Sequence, residues 1–135
     1  MLATNEQHTQ TGFMLPDLQN NLVELPNNDH KTVVYFFAPW CSICRISINN
    51  LQDLYERSDN INIIAIALDY QHRSEVDKFA EKLQLSFPIV LGNESIKQNY
   101  KVTAYPSYYV LNEKQIIEHR SMGYSSALGL YLRSL

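Results

Sequence analysis

The stretch Thr32-Val33-Val34-Tyr35-Phe36-Phe37-Ala38-Pro39-Trp40-Cys41-Ser42-Ile43-Cys44 decides how the rest of the chain is read. Its first half is an unbroken apolar and β-branched run closed by Pro39, which predicts a strand covered on both faces. From Cys41 the period changes. Cys44, Ile48, Leu51 and Tyr55 recur at spacings of four, three and four, the stripe of a helix over residues 41–57 that packs on a sheet. The chain's two cysteines therefore sit where a buried strand becomes a helix, and that placement separates this Cys-x-x-Cys from a chance match.

The chemistry expected at such a turn is thiol–disulfide exchange. Unsatisfied N–H groups and the positive end of the helix dipole favour an anion in the first turn, so Cys41 is expected to attack as the thiolate. Cys44 lies one turn on, along the same face and further in, and is the expected resolving thiol. No cofactor is called for beyond a redox-active Cys41–Cys44 disulfide. A structural bond closing so short a loop would constrain the unfolded chain little. Zinc needs about four ligands, and there is one cysteine pair and no histidine pair at finger spacing, so no metal is expected. Haem attachment needs His directly after the second Cys, where Arg45 stands. His8, His30, His72 and His119 are scattered and read as solvated polar residues.

Outward from this turn, residues 61–68 read as a second buried strand, followed by a helix with Val76, Phe79, Ala80 and Leu83 on one stripe. Two βα units in succession imply a parallel strand pair. Residues 87–91, short and containing Pro88, read as an edge or connecting segment. Residues 107–111 and 115–120 flank Asn112-Glu113-Lys114 as an antiparallel hairpin, and residues 13–17 and 22–25 flank Gln19-Asn20-Asn21 as an edge hairpin. After Gly123, Ser125 or Ser126 can cap a last helix carrying Leu128, Tyr131, Leu132 and Leu135. Residues 1–12 are polar and read as a flexible tail, leaving 13–135 as one domain.

Composition excludes other classes. A chain of 135 residues can bury a core without staples, so the cysteines are not required for stability. The formal charge of −3 and the lack of a basic cluster argue against nucleic acid as a partner. No apolar run is longer than the six residues of 63–68, far short of the roughly 18 needed to span a bilayer. The first residues lack a basic and a hydrophobic leader region, so the expectation is a cytosolic protein or an exported one supplied without its leader. A monomer is expected.

Residues Phe37-Ala38-Pro39-Trp40-Cys41-Ser42-Ile43-Cys44 resemble the active-site segment of the thioredoxin superfamily. Tyr100-Lys101-Val102-Thr103-Ala104-Tyr105-Pro106-Ser107-Tyr108-Tyr109-Val110-Leu111 resembles the segment carrying that family's cis-proline, here Pro106, and Gly123 matches a further landmark. The hairpin-like entry at 13–25 and the pattern F-x-x-K-x-x-L-x-F-P-I-V-L over 79–91 narrow the likeness to the TlpA/ResA/CcmG-type, redoxin-like branch. The resemblance covers nearly all of residues 13–135. It implies an α/β thioredoxin fold: a central mixed β-sheet flanked by helices, with an N-terminal β-hairpin extension and a central insertion.

The resemblance also implies roles. The loop before Pro106 would lie against the two sulfurs, with Tyr105 and Pro106 binding an extended substrate peptide. Trp40 would cover the cysteine pair as an apolar lid, and Ser42 and Ile43 would complete the surroundings. Partners would be protein thiols or disulfides and an upstream electron donor or acceptor protein. Members of the branch are mostly extracytoplasmic and tethered to membranes, which implies an extracytoplasmic domain whose leader or anchor is absent here, or a cytoplasmic one if the chain is full length.

Three departures bear on mechanism. Thioredoxins place a buried Asp where this chain has Tyr35, ResA-type reductases a Glu where it has Ser47, and many relatives a Pro where it has Asn49. Deprotonation of Cys44 is left to water, to Tyr35 or to a group the sequence does not name. Ser42-Ile43 is neither the Gly-Pro of reducing thioredoxins nor the Pro-His of strong oxidants, so it does not set the potential. Tyr105, Tyr108 and Tyr109 could rim a substrate site, or the latter two could pack in the core on alternating faces. The expected function is reduction of protein disulfides. The rivals are a disulfide-forming oxidant and a copper-binding or metal-delivery module on the same soft thiolates, although copper-assembly relatives use CxxxC with a distant His. A peroxidase would need Thr at the position of Ala38.

Overall fold

The computed structural model describes residues 11–123. The elements run β1 (Met14–Pro16), β2 (Leu22–Glu24), β3 (Lys31–Phe37), α1 (Ser42–Arg57), β4 (Ile61–Ala67), α2 (Arg73–Leu83), β5 (Ile89–Leu91), α3 (Glu94–Asn99), β6 (Ser107–Leu111) and β7 (Ile117–Met122). Five strands form one mixed sheet in the order β5-β4-β3-β6-β7. β3 is its centre, parallel to β4 with Val33 opposite Ile63, and antiparallel to β6 with Tyr35 opposite Tyr108.

The pleat explains the unbroken apolar run of β3, because alternate side chains must fill two covered faces. On one face Val33, Tyr35 and Phe37 meet Cys44, Ile48 and Leu51 of α1 and Val76 and Phe79 of α2. On the other, Val34 and Phe36 meet Ile66, Ile96, Tyr100 and Tyr109. Both helices lie on one face because β3, β4 and β5 are joined by two successive parallel crossovers, which take the same hand. The α2–β5 unit is the central insertion, and β5 is an edge strand as its length and proline suggest.

The entry hairpin pairs Met14 with Glu24 in a two-stranded sheet of its own, joined to the main sheet by a bridge from Asp17 to Val90. The Asp17 carboxylate accepts N–H groups from Gln19 and Asn21 and so closes the turn.

Four details differ from the sequence expectation. Tyr55, placed on the buried stripe of the first helix, is exposed and meets Phe87 edge-on, while Ser47 is buried instead. The last strand begins at Ile117 and not at Gln115, whose φ of 65° keeps it in a turn closed by the Asn112 side chain. α3 has no sequence precedent; the Asn93 side chain caps it by accepting the Ile96 N–H at 2.9 Å. Thr11, assigned to the tail, is buried, and its backbone carbonyl accepts the Tyr100 hydroxyl at 2.6 Å. The predicted last helix and residues 1–10 lie outside the described residues.

Gly92 is required by packing. A Cβ there would stand 2.7 Å from the Ala67 carbonyl oxygen. Its N–H donates to that oxygen at 2.9 Å and its own carbonyl accepts the Tyr70 hydroxyl, also at 2.9 Å, which fixes the turn after β4.

Candidate active site

β3 ends at Phe37, whose carbonyl still accepts the Leu68 N–H at 2.8 Å, and the chain then turns through Ala38 and Pro39 into α1. Cys41 is the N-cap of that helix. Its sulfur takes the place of the usual hydroxyl or carboxylate oxygen and accepts the Cys44 backbone N–H at 3.2 Å. Cys41 is 8% exposed and Cys44 is 0% exposed, so both are buried and only the first residue keeps some exposure. Both are free thiols here.

The second wall of the site is the loop before β6. The Tyr105–Pro106 peptide is cis, and the Tyr105 carbonyl oxygen lies 3.9 Å from Cys41 Sγ. Two hydrogen bonds brace this loop. Ser107 Oγ donates to the Ala104 carbonyl at 2.7 Å, and Gly123, left-handed at φ 74°, donates its N–H to the Pro106 carbonyl at 2.8 Å. The glycine therefore belongs to the site through the proline, by a conformation that a side chain would strain.

Under Cys44, two of the three positions marked above as departures from the family pattern meet each other. Tyr35 on β3 and Ser47 on α1 place their hydroxyls 2.7 Å apart, and the Tyr35 hydroxyl also donates to the Cys44 carbonyl at 3.1 Å. Burial pushes the Tyr35 phenol far above its ordinary range, with the nearby Cys44 adding to the shift. This phenol stays protonated, so of the groups left open by the sequence Tyr35 is a hydrogen-bond donor and not a base. Burial likewise pushes the Cys44 thiol up to about 12, and the hydrogen bond with Cys41 adds to it.

In front of Cys41 the polar groups are charged. Asp69, in the turn after β4 at φ 53°, accepts the Tyr105 hydroxyl at 2.6 Å and Lys97 Nζ at 2.9 Å, and its backbone carbonyl accepts the Trp40 indole N–H at 2.9 Å. The Tyr105 hydrogen bond first, and Lys97 second, hold the Asp69 carboxyl below its usual range. Burial and then Asp69 raise the Tyr105 phenol. Trp40 is neither a core aromatic nor sealed over: it is 62% exposed, and its ring meets the Tyr105 ring edge-on at 5.8 Å. Ser42 and Ile43 are exposed on the first turn. Of the three tyrosines, Tyr105 stands at the rim, whereas Tyr108 and Tyr109 are buried on opposite faces of the sheet. Sequence reasoning missed Asp69. Its one signal was an acidic residue directly after a buried parallel strand, where site residues of α/β sheets collect.

Strand order, crossover hand and the position of the cysteine turn define a thioredoxin-fold protein. Residues 7–120 match the model of the AhpC/TSA family, and the chain belongs to that family, among its TlpA/ResA-type redoxins. It is 28% identical over 116 residues to the sporulation thiol-disulfide oxidoreductase A of Bacillus subtilis, covering 82% of this chain and 70% of the relative. It is 29% identical over 111 residues to the thiol-disulfide oxidoreductase ResA of Oceanobacillus iheyensis, covering 79% of this chain but 57% of that one. The crystal structure of StoA from Bacillus subtilis is similar at TM-score 0.78 and 26% identity, covering 92% of this chain and 96% of that one. The thioredoxin domain of a thiol-disulfide oxidoreductase from Bacteroides vulgatus shares the fold at TM-score 0.81 and 18% identity, over 91% of each chain. Among the described residues no helix is long and apolar enough to cross a membrane.

Proposed function

We propose that the protein is a thiol–disulfide oxidoreductase that reduces disulfides in protein substrates through Cys41 and Cys44. The observation that carries this reading is the sulfur of Cys41 at a helix N-cap, 3.9 Å from the carbonyl that precedes Pro106, with the second thiol, Cys44, fully buried three residues on. Cys41 attacks one sulfur of the substrate disulfide; a Cys41–substrate bond forms and the other substrate sulfur leaves and takes a proton. Cys44 then gives up its proton and attacks Cys41. The Cys41–Cys44 disulfide forms and the second substrate thiol is released, so two electrons have passed to the substrate. A dithiol protein upstream resets the pair.

Pro106 offers no N–H and Tyr105 offers its backbone, which suits an extended peptide laid across the sulfurs. Among the described residues the hydrogen-bond partners of Cys41 Sγ are the Cys44 N–H, the Cys44 thiol and the Tyr105 carbonyl, none of them a charged donor, whereas a strong oxidant draws its power from a stabilised reduced form. This supports the reducing direction. An equilibrium potential against glutathione is expected near the roughly −270 mV of thioredoxin and not near the roughly −120 mV of DsbA. The branch resemblance supports work outside the cytoplasm, which fractionation of cells expressing the natural full-length protein would test.

The direct assay is insulin reduction. Cys41→Ser is expected to abolish it, and Cys41→Ser activity equal to the parent would overturn the proposal.

A further inference from the structure

Between α2 and the turn that leads into α1 lies a groove of about 700 Å³, and Trp40, the residue before Cys41, forms part of its wall. Pro39, Phe79 and Leu83 give it an apolar lining, and Arg45 of α1 with Lys78 and Lys82 of α2 supply its charge. One acid, Glu75, also lines it, but that carboxylate accepts the backbone N–H groups of Gln71 and His72 at 3.4 and 3.2 Å and so serves the start of α2.

These cations differ from others in the molecule. Lys31, Arg57, Arg73 and Lys97 are each held by a carboxylate, and Arg120 lies over the Tyr109 ring. Arg45, Lys78 and Lys82 form no ion pair among the described residues, as Lys101 and Lys114 elsewhere do not, in a chain whose formal charge is −3; these three line one groove, where Arg45 also donates to the Pro39 carbonyl at 3.4 Å. Lys78 and Lys82 are also four apart on α2, an arrangement of like charges that weakens a helix unless an anion comes between them. An apolar trough with unpaired cations is complementary to an apolar side chain flanked by carboxylates.

We propose that this groove binds the segment flanking the target cysteine of the protein substrate, and that the segment carries an apolar residue flanked by Asp or Glu. The proposal rests on the oxidoreductase reading and adds the substrate class: the groove would select among protein disulfides by their acidic surroundings, while Cys41 performs the exchange.

The test uses three synthetic peptides with the same disulfide and the same Leu, flanked by Asp and Glu, by Ser, or by Lys and Arg. A roughly tenfold fall in kcat/KM from the acidic to the basic peptide is expected, shrinking at 0.5 M salt as the charges are screened. Lys78→Glu with Lys82→Glu is expected to reverse the order, and Lys78→Gln with Lys82→Gln to flatten it. Equal kcat/KM for the three peptides, or an order unchanged in the charge-reversed variant, would overturn the proposal. Bis(2-hydroxyethyl) disulfide, small and neutral, separates the two readings. If the protein reduces neither it nor the peptides, the oxidoreductase reading fails, and the groove is judged by binding alone. Fluorescence of Trp40, the chain's single tryptophan, is then titrated with the alkylated peptides: tighter binding of the acidic one supports the groove, and equal binding overturns it.

Discussion

The polar groups beneath Cys44 and those in front of Cys41 are built from opposite chemistry. Beneath Cys44 two buried hydroxyls, Tyr35 and Ser47, bond each other and the Cys44 carbonyl, with no carboxylate in their hydrogen-bond set among the described residues. In front of Cys41, Asp69 and Lys97 form an ion pair at the surface, and Tyr105 and Trp40 hang from it. The two sides also differ in exposure: Tyr35 and Ser47 are fully buried, whereas Asp69 is exposed and still orients two aromatic rings. In the proposed reaction the neutral side would set how readily Cys44 loses its proton, and the charged side how the wall facing substrate is held.

The largest effect should come from the buried side. Tyr35→Ala empties a fully buried ring site and is expected to cost about 3–5 kcal/mol in denaturant unfolding, the range for aromatic truncation in a core. Asp69→Ala removes an exposed carboxylate from two half-buried partners, Tyr105 and Lys97, and should cost less than about 1 kcal/mol. Equal losses would erase the contrast between the two sides.

Next in size is a pH effect confined to the reduced protein. The Cys44 thiol is raised from 9.0 to about 12, so the native state keeps this proton where the unfolded chain has lost it. More protons bound in the native state mean that stability falls as pH rises. The thiol's contribution is full below about pH 9 and is lost between about 9 and 12. Thermal or urea unfolding of reduced and oxidised protein across that window should show the steeper loss in the reduced form. Parallel curves would contradict the burial assigned to Cys44.

Tyr35→Phe keeps the ring and removes the hydroxyl. A loss of about 1–2 kcal/mol is expected, with slower release of substrate from the Cys41 mixed disulfide and little change in the first attack. Stopped-flow separation of the two steps checks this, and slowing of the first step alone would move Tyr35 out of its role under Cys44. The smallest stability change, within about 0.5 kcal/mol, is expected for Asp69→Asn. Its mark should be a several-fold rise in KM for insulin and altered Trp40 fluorescence, because the charged acceptor for the Tyr105 hydroxyl is gone.

The contrast also explains what the sequence made legible. β3, the cysteine turn and the helix after it were readable because the period changes within a few residues and both faces of the strand must be apolar. Cys41, Cys44 and Pro106 followed from that turn and from the family likeness. Tyr35 and Ser47 were visible one at a time, as departures. That they meet at 2.7 Å depends on the angle at which α1 crosses β3, which no spacing encodes. Asp69 escaped for a different reason. A single acid after a strand reads as a solvated turn residue, and its partners Lys97, Tyr105 and Trp40 come from three other segments that only the folded sheet gathers. α3 was missed because six residues do not complete two helical periods.

The proposed reaction requires Cys41 to be the sulfur that meets substrate and Cys44 the one that frees it. Trapping tests that most directly. Cys44→Ser and Cys41→Ser are each incubated with a disulfide-bonded protein substrate, quenched with acid and examined by mass spectrometry. A stable mixed disulfide mapped to Cys41 in the Cys44→Ser protein, with none at Cys44 in the Cys41→Ser protein, is the predicted result. Adducts of equal yield on both cysteines, or none on Cys41, would contradict it.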